Sequence, residues 1–157
     1  MKRLVIILIF VLSIIPVSFC QISKNFTCGT PRGFQKSTQT QNHEYMFAVL
    51  KDQAYIHIQE FFIPQPEDKS FGFFRNNIAA QIKQDCSQCW SFHIWQDKAD
   101  ELPANTIEYI EGDRYNKYVI IWISNRTYII KMNVPYDDRM KYLDIWNDFK
   151  WTIKIRK

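Results

Sequence analysis

Beyond residue 44, apolar and polar residues alternate along much of the chain, with the two-residue period of β-strands that bury one face. The run 118–123 is apolar throughout, which is typical of a central strand covered on both faces. The three-residue turn at 124–126 makes this run one arm of a hairpin. Range 97–105 is charged and contains Pro103, so it is predicted as a loop. Strands are predicted over 45–50, 54–63, 90–95, 106–111, 118–123, 127–134 and 151–156.

Two stretches have the helical period instead. In the first, Ser70 is a candidate N-cap. In the second, Asp137 or Asp138 can start the helix. Spacings of three and four residues place the apolar side chains of each stretch on one helix face. The first stripe is Phe71, Phe74, Ile78 and Ile82, and the second is Tyr142, Ile145, Trp146 and Phe149.

The order of elements predicts the fold class. It runs strand, strand, helix, four strands, helix, strand. An antiparallel sheet that is apolar on both faces needs cover on both, and two amphipathic helices supply it. We therefore expect an α+β protein, a mainly antiparallel sheet in an α/β/α sandwich, with one domain over 43–157.

The first 20 residues have the layout of a secretory signal peptide. Lys2 and Arg3 precede an apolar run, and Ser18 and Cys20 are small residues at positions −3 and −1 of a cut before Gln21. Range 21–42 then forms a polar lead-in. The expected location is secreted or periplasmic. An uncleaved leader or a lipid anchor on Cys20 would add a membrane tether without changing the side of the membrane.

Charge and motifs narrow the function classes. The formal net charge of +4 falls to +2 when the leader is removed, which does not favour nucleic-acid binding. Phosphate-binding glycine loops and the serine-hydrolase and zinc-protease motifs are absent, and His43, His57 and His93 are isolated in sequence. We therefore expect no catalytic residues, no cofactor and no metal, and a role in binding.

Three cysteines follow the expected cut, namely Cys28, Cys86 and Cys89. In an oxidising compartment they predict one disulfide, for which a bond from Cys28 to Cys86 or Cys89 is favoured because it would fix the lead-in to the domain. Thiol redox chemistry or metal binding at Cys86 and Cys89 is the alternative. Redox chemistry is disfavoured because the pair closes a helix rather than opening one, and only thiols near a helix N-terminus have their pKa lowered by the helix dipole. Metal binding is disfavoured because the pair supplies two of four ligands, and the other candidates, Cys28, His43, His57 and His93, have no second ligand at metal spacing.

The element order resembles the PsbP-like superfamily over roughly residues 44–155. The resemblance rests on the hairpin 118–134 and on the closing unit 138–155, in which an amphipathic helix ends in an aromatic residue and leads into the last strand (149–153). It implies a scaffold of binding proteins that share no catalytic residues.

Aromatic residues are in excess, at 16% of the chain, and such residues anchor interfaces as well as cores. Those off the main stripes are candidates for a partner-facing patch: Phe61, Phe62, Phe73, Trp95 and Tyr136. The expected partner is an exported or envelope protein, and a secreted toxin is the alternative if the chain is an immunity or inhibitor protein. Asn25 and Asn125 match the N-glycosylation pattern, which matters only in a host that glycosylates exported proteins.

Overall fold

A computed structural model describes residues 19–36, 44–61, 67–123 and 125–156, with side chains from Ser23 onward. Most of the predicted leader therefore lies outside the described residues, as do His43 and Phe62. Within this part, the chain forms a large antiparallel sheet, a small one, two longer helical segments and one turn of 3₁₀ helix over Leu50–Asp52.

The large sheet has seven strands in the order β3-β4-β5-β9-β8-β7-β6, and every neighbouring pair is antiparallel. The hairpin predicted over 118–134 lies at its centre, with Val119 opposite Ile130. The strands are β3 (Gln35–Lys36), β4 (Glu44–Val49), β5 (Ala54–Phe61), β6 (Cys89–Ala99), β7 (Leu102–Glu111), β8 (Arg114–Ile123) and β9 (Arg126–Pro135).

The loop predicted over 97–105 is wrong, because β6 and β7 continue through it as a long hairpin. Its turn is Asp100-Glu101, and both residues are left-handed, with φ of 48° and 64°. Pro103 pairs with Lys98, whereas pairing between β7 and β8 begins only at Ala104. The missing amide of this proline therefore leaves the ladder to β8 intact.

The small sheet contains β1 (Phe19–Ser23), β2 (Phe26–Gly29) and β10 (Lys154–Ile155), in the order β1-β2-β10. The predicted last strand is thus shorter than expected, and it pairs with β2 instead of joining the large sheet. Alternation along a strand indicates which face is buried but not which strand is its neighbour. Part of the range predicted as a lead-in is extended and packed, since Phe26, Cys28 and Phe34 are buried in the core.

The first helix runs as an α-turn over Phe71–Phe73, a π-helical stretch over Phe74–Ala79 and an α-helical end over Ala80–Asp85. The predicted N-cap is confirmed, because the Ser70 hydroxyl accepts the Phe73 amide at 3.1 Å. The predicted stripe covers one face of the sheet, where fully buried Phe74 packs with Ile107, Tyr109 and Ile120.

The second helix, Arg139–Lys150, covers the opposite face. Asp138 precedes it without a side-chain cap. The four predicted stripe residues are all buried, and Phe149 lies 6.0 Å from Phe47 of β4 between ring centroids. The small sheet packs on this face too, with the Phe26 ring 5.0 Å from Tyr128. An α/β/α sandwich is thus confirmed, with the small sheet as additional cover.

Candidate functional site

The five aromatic residues predicted to face a partner do not form one patch. Phe61 ends β5 and Phe73 lies in the first helix, both half-buried, while Phe62 is outside the described residues. Trp95 lies on the face that the second helix covers. The Lys117 ammonium lies over its ring, with Nζ 4.8 Å from the ring centroid. Only Tyr136 meets another accessible aromatic residue.

That neighbour is Trp90, whose ring is 5.4 Å from Tyr136 between centroids, in a T-shaped contact. The Arg139 guanidinium also packs against the Tyr136 ring, with its carbon 3.9 Å from the ring centroid. Its Nη1 donates to the Tyr136 carbonyl at 3.0 Å. Met140 follows in the first turn of the second helix and is 63% exposed, while Trp90 is 50% exposed. Indole, phenol and guanidinium thus form one partly exposed stack.

Leu50 is 74% exposed and lies in the turn before β5. Because Tyr55 pairs with Asn133, this turn is at the end of the sheet where β9 leads into Tyr136. The turn is tied to the start of the second helix, because Asp52 accepts hydrogen bonds from Lys141 at 3.0 Å and from the Tyr142 hydroxyl at 2.7 Å. A surface cavity of about 250 Å³ opens beside Leu50. We name this surface the end patch; it consists of Leu50, Trp90, Tyr136, Arg139 and Met140.

The end patch holds most of the exposed large apolar residues. Four such side chains occur among the described residues, and Leu50, Trp90 and Met140 are three of them. The fourth is Trp151, which follows the far end of the second helix. Scattered exposed apolar residues need no explanation, whereas three at one end of a fold make that end a candidate interaction surface.

A β-bulge sets the position of Trp90. The register between β6 and β7 shifts between Trp90 and His93, and Ser91 has a left-handed φ of 52°. Such a conformation is uncommon for a residue other than glycine, and bulges of this kind re-aim a side chain at a strand end. Sequence alternation alone places Trp90 in a regular strand, and therefore misses its role in the patch.

A disulfide holds the chain just before Trp90. Cys86 and Cys89 are bonded, with Cα atoms 5.4 Å apart. The Cys86 amide donates to Ile82 at the end of the first helix, and Cys89 opens β6 opposite Glu111. The bond therefore fixes the passage from helix to strand.

The favoured bridge from Cys28 to Cys86 or Cys89 is therefore wrong. Cys28 is fully buried in the core beneath the second helix, whereas Cys86 and Cys89 pack with the first helix on the other face of the sheet. The sheet lies between them. Sequence spacing carried no information on which face each cysteine occupies.

Glu111 lies beside this disulfide, and one ligand atom from each of Cys86, Cys89 and Glu111 falls within 4.8 Å of the others. A metal would need the thiolate form of both cysteines, which the disulfide does not offer. Reduction would also release the thiols at the C-terminal end of a helix, where the dipole disfavours the thiolate. A redox or metal function would thus require reduction of this disulfide to thiolates that the helix dipole disfavours.

Charged residues near Trp95 form an internally satisfied cluster. Lys117 lies 3.7 Å from Glu108, which also accepts the Tyr115 hydroxyl. Burial lowers the pKa of Lys117, opposed by the charge of Glu108. Burial likewise raises the pKa of Tyr115, with the hydrogen bond to Glu108 acting in the same direction. Each group already has a partner, so the cluster is best described as structural.

The two described histidines are apart. Nε2 of His57 is 3.6 Å from Glu44, and Nε2 of His93 is 3.2 Å from the Ser91 hydroxyl. His57 lies on β5 and His93 on the edge strand β6, and β9, β8 and β7 separate these two strands in the large sheet. The geometry does not bring them together as an acid and a base.

Both glycosylation sequons border one surface cavity of about 270 Å³. Asn125 is exposed in the turn between β8 and β9, and Asn25 lies in the turn between β1 and β2. The cavity is basic, since Lys24, Arg126 and Arg156 also line it.

Among the described residues, no helix has the length and apolar character that crossing a membrane requires.

An antiparallel sheet with one helix on each face is the architecture of PsbP-like proteins. The solution structure of cyanobacterial PsbP (CyanoP) from Synechocystis sp. PCC 6803 superposes with a TM-score of 0.60 at 10% identity, covering 84% of this chain and 87% of that one. A Mog1 variant superposes with a TM-score of 0.56 at 6% identity, over 88% of this chain and 95% of that one.

LpqN, described as involved in cell envelope biogenesis of Mycobacterium tuberculosis, superposes with a TM-score of 0.52 at 13% identity, over 90% of this chain and 86% of that one. Neither the protein-family models nor the curated proteins give a match. The predicted resemblance is therefore confirmed for the fold, and the fold alone does not define a function.

Proposed function

We propose that this protein is an exported, non-catalytic binding module that contacts another exported or envelope protein through the end patch. The observation that carries the proposal is the gathering of Leu50, Trp90, Tyr136, Arg139 and Met140 at one end of the sandwich. Tryptophan, tyrosine, methionine and arginine are the residue types enriched at protein interfaces, and tryptophan, tyrosine and arginine dominate their hot spots.

The patch is also held in place before any partner arrives. The Tyr136 amide donates to Asp113 at 2.8 Å, the Arg139 amide donates to Tyr136 at 3.1 Å, and the disulfide precedes Trp90. Side chains that are already ordered lose less conformational entropy on binding. An apolar surface with a carboxylate positioned for Arg139 is the complementary partner.

Export is supported by two features of different kinds. The N-terminal sequence has the signal-peptide layout, and Cys86 and Cys89 form a disulfide, which is typical of oxidising compartments. The name of LpqN, a protein of this fold, connects it with the cell envelope. An inhibitor or immunity role is the special case in which the partner is a secreted toxin.

Site-specific crosslinking tests the proposal. A photoreactive amino acid at position 140 should capture one protein in cells of the source organism, whereas the same group at position 151 should not. Binding of the captured protein is then measured with Trp90→Ala and with the matched control Trp151→Ala, since Trp151 is also exposed but lies outside the patch. Loss of a hot spot costs about 2 kcal/mol, so Trp90→Ala should raise the Kd about 30-fold.

Equal crosslinking from both positions, or equal Kd values for the two variants, would show that the end patch is not the binding surface. Substrate turnover that depends on Cys86 and Cys89 would instead favour the redox alternative. Met140→Asp supplies a further variant, because an acidic residue in the first turn of a helix is compatible with its dipole. It should fold normally and lose binding.

A further inference from the structure

With Cys86 and Cys89 bonded to each other, the remaining two cysteines of the chain are Cys20 and Cys28. They lie on adjacent antiparallel strands, and the register places Cys20 directly opposite Cys28. Residues directly opposite in such a pair share a face of the sheet, with Cβ atoms about 4.5–5.5 Å apart, close to the roughly 3.5–4.5 Å of a disulfide. We infer that Cys20 and Cys28 form a second, cross-strand disulfide.

The bond would link β1 covalently to β2, the strand that connects the N-terminal hairpin to the rest of the fold. β2 is the middle strand of the small sheet, pairing with β1 on one side and with β10 on the other. It also carries Phe26, which packs on Tyr128 in the main core. Two-stranded hairpins are marginal on their own, so a covalent link would keep β1 on the folded body. The Cys86–Cys89 bond indicates an oxidising environment in which a second bond can persist.

Formation of this bond is a two-electron oxidation. Both thiols lose a proton, and one Sγ–Sγ bond forms. The oxidant is the disulfide of a thiol–disulfide oxidoreductase in the export compartment, which accepts two electrons and two protons and leaves as a dithiol after a mixed-disulfide intermediate.

This disulfide changes where the leader must end. The sequence predicts a cut between Cys20 and Gln21, which would divide β1 and discard one of the two sulfurs. A chain that carries the bond keeps Cys20, so its leader is removed on the N-terminal side of that residue. Ser18 is the nearest upstream small residue that suits the −1 position. A lipid on Cys20 would block the same thiol, so the bond and the anchor exclude each other.

Peptide mapping of the protein, exported with its own leader from a bacterial host, tests this inference. Free thiols are alkylated under denaturing, non-reducing conditions before digestion with trypsin. Cleavage after Lys24, Arg32, Lys83 and Lys98 places Cys20, Cys28 and the Cys86–Cys89 pair on three separate peptides. We expect the peptide ending at Lys24 linked to peptide 25–32, and peptide 84–98 closed on itself.

Two variants make the result specific. Cys20→Ser should leave Cys28 alkylated and lower the denaturation midpoint, whereas the control with both Cys86→Ser and Cys89→Ser should retain the link between the two N-terminal peptides. A mature chain that begins at Gln21 would overturn the inference. So would alkylated Cys20 and Cys28 in the unaltered protein, a lipid on Cys20, or a link between peptides 25–32 and 84–98.

Discussion

Asp52 joins the turn before β5 to the second helix. Its carboxylate accepts hydrogen bonds from the Tyr142 hydroxyl at 2.7 Å and from the Lys141 ammonium at 3.0 Å. These bonds hold the pKa of Asp52 below its ordinary value of 3.8, with Tyr142 the larger cause. Burial raises the pKa of Tyr142 to about 12, and the hydrogen bond to Asp52 adds to that shift. One carboxylate thus positions Leu50 relative to Met140 in the end patch.

The sign of the Asp52 shift predicts how stability depends on pH. A carboxyl with a lowered folded pKa stabilises the fold above its unfolded pKa, here 3.8, and this contribution is lost as the pH falls through the folded value. Asp52→Asn should therefore lower the urea midpoint at neutral pH and reduce its fall towards acid pH. Asp144→Asn, which removes an exposed carboxyl of the second helix, is the control. An unchanged acid dependence in Asp52→Asn would contradict the expected linkage.

Elements with a strong period were predictable, and elements defined by backbone geometry were not. The Phe74 and Phe149 stripes and the 118–134 hairpin follow directly from residue spacing. The β6–β7 turn did not, because Asp100 and Glu101 adopt left-handed conformations that normally indicate glycine or asparagine. The end patch was predictable only at Tyr136, since the bulge at Ser91 and the meeting of three chain segments leave no local signal.

The N-cap of the first helix gives a prediction for one element. The helix interrupts its α-hydrogen bonding with a π-helical stretch, so its first turn depends on the bond from the Phe73 amide to the Ser70 hydroxyl. Ser70→Ala should lower the free energy of unfolding by about 1 kcal/mol, measured by urea denaturation. Ser70→Asp, which restores a capping oxygen, should recover most of the loss. Equal losses in both variants would exclude capping as the cause.

At the scale of the molecule, two apolar cores share one sheet. Val119 and Ile121 of β8 face the second helix, while Ile120 between them faces the first. Each core therefore rests on the same backbone ladder, and neither face can lose its cover without weakening the strands that support the other. The fold should consequently unfold as one cooperative unit.

Truncating one fully buried ring in each core tests this coupling. Phe74→Ala and Phe149→Ala should each cost about 3 to 5 kcal/mol, because each leaves a cavity under its helix. Phe74→Leu and Phe149→Leu retain more of the volume and should cost less. In every variant, far-UV circular dichroism and hydrogen exchange of both helices should report the same urea midpoint. If Phe74→Ala lowered the midpoint of the first helix while the second helix kept its original midpoint, the two faces of the sheet would unfold independently. The end patch would then lose its support before the sheet unfolds, because Trp90 follows the first helix.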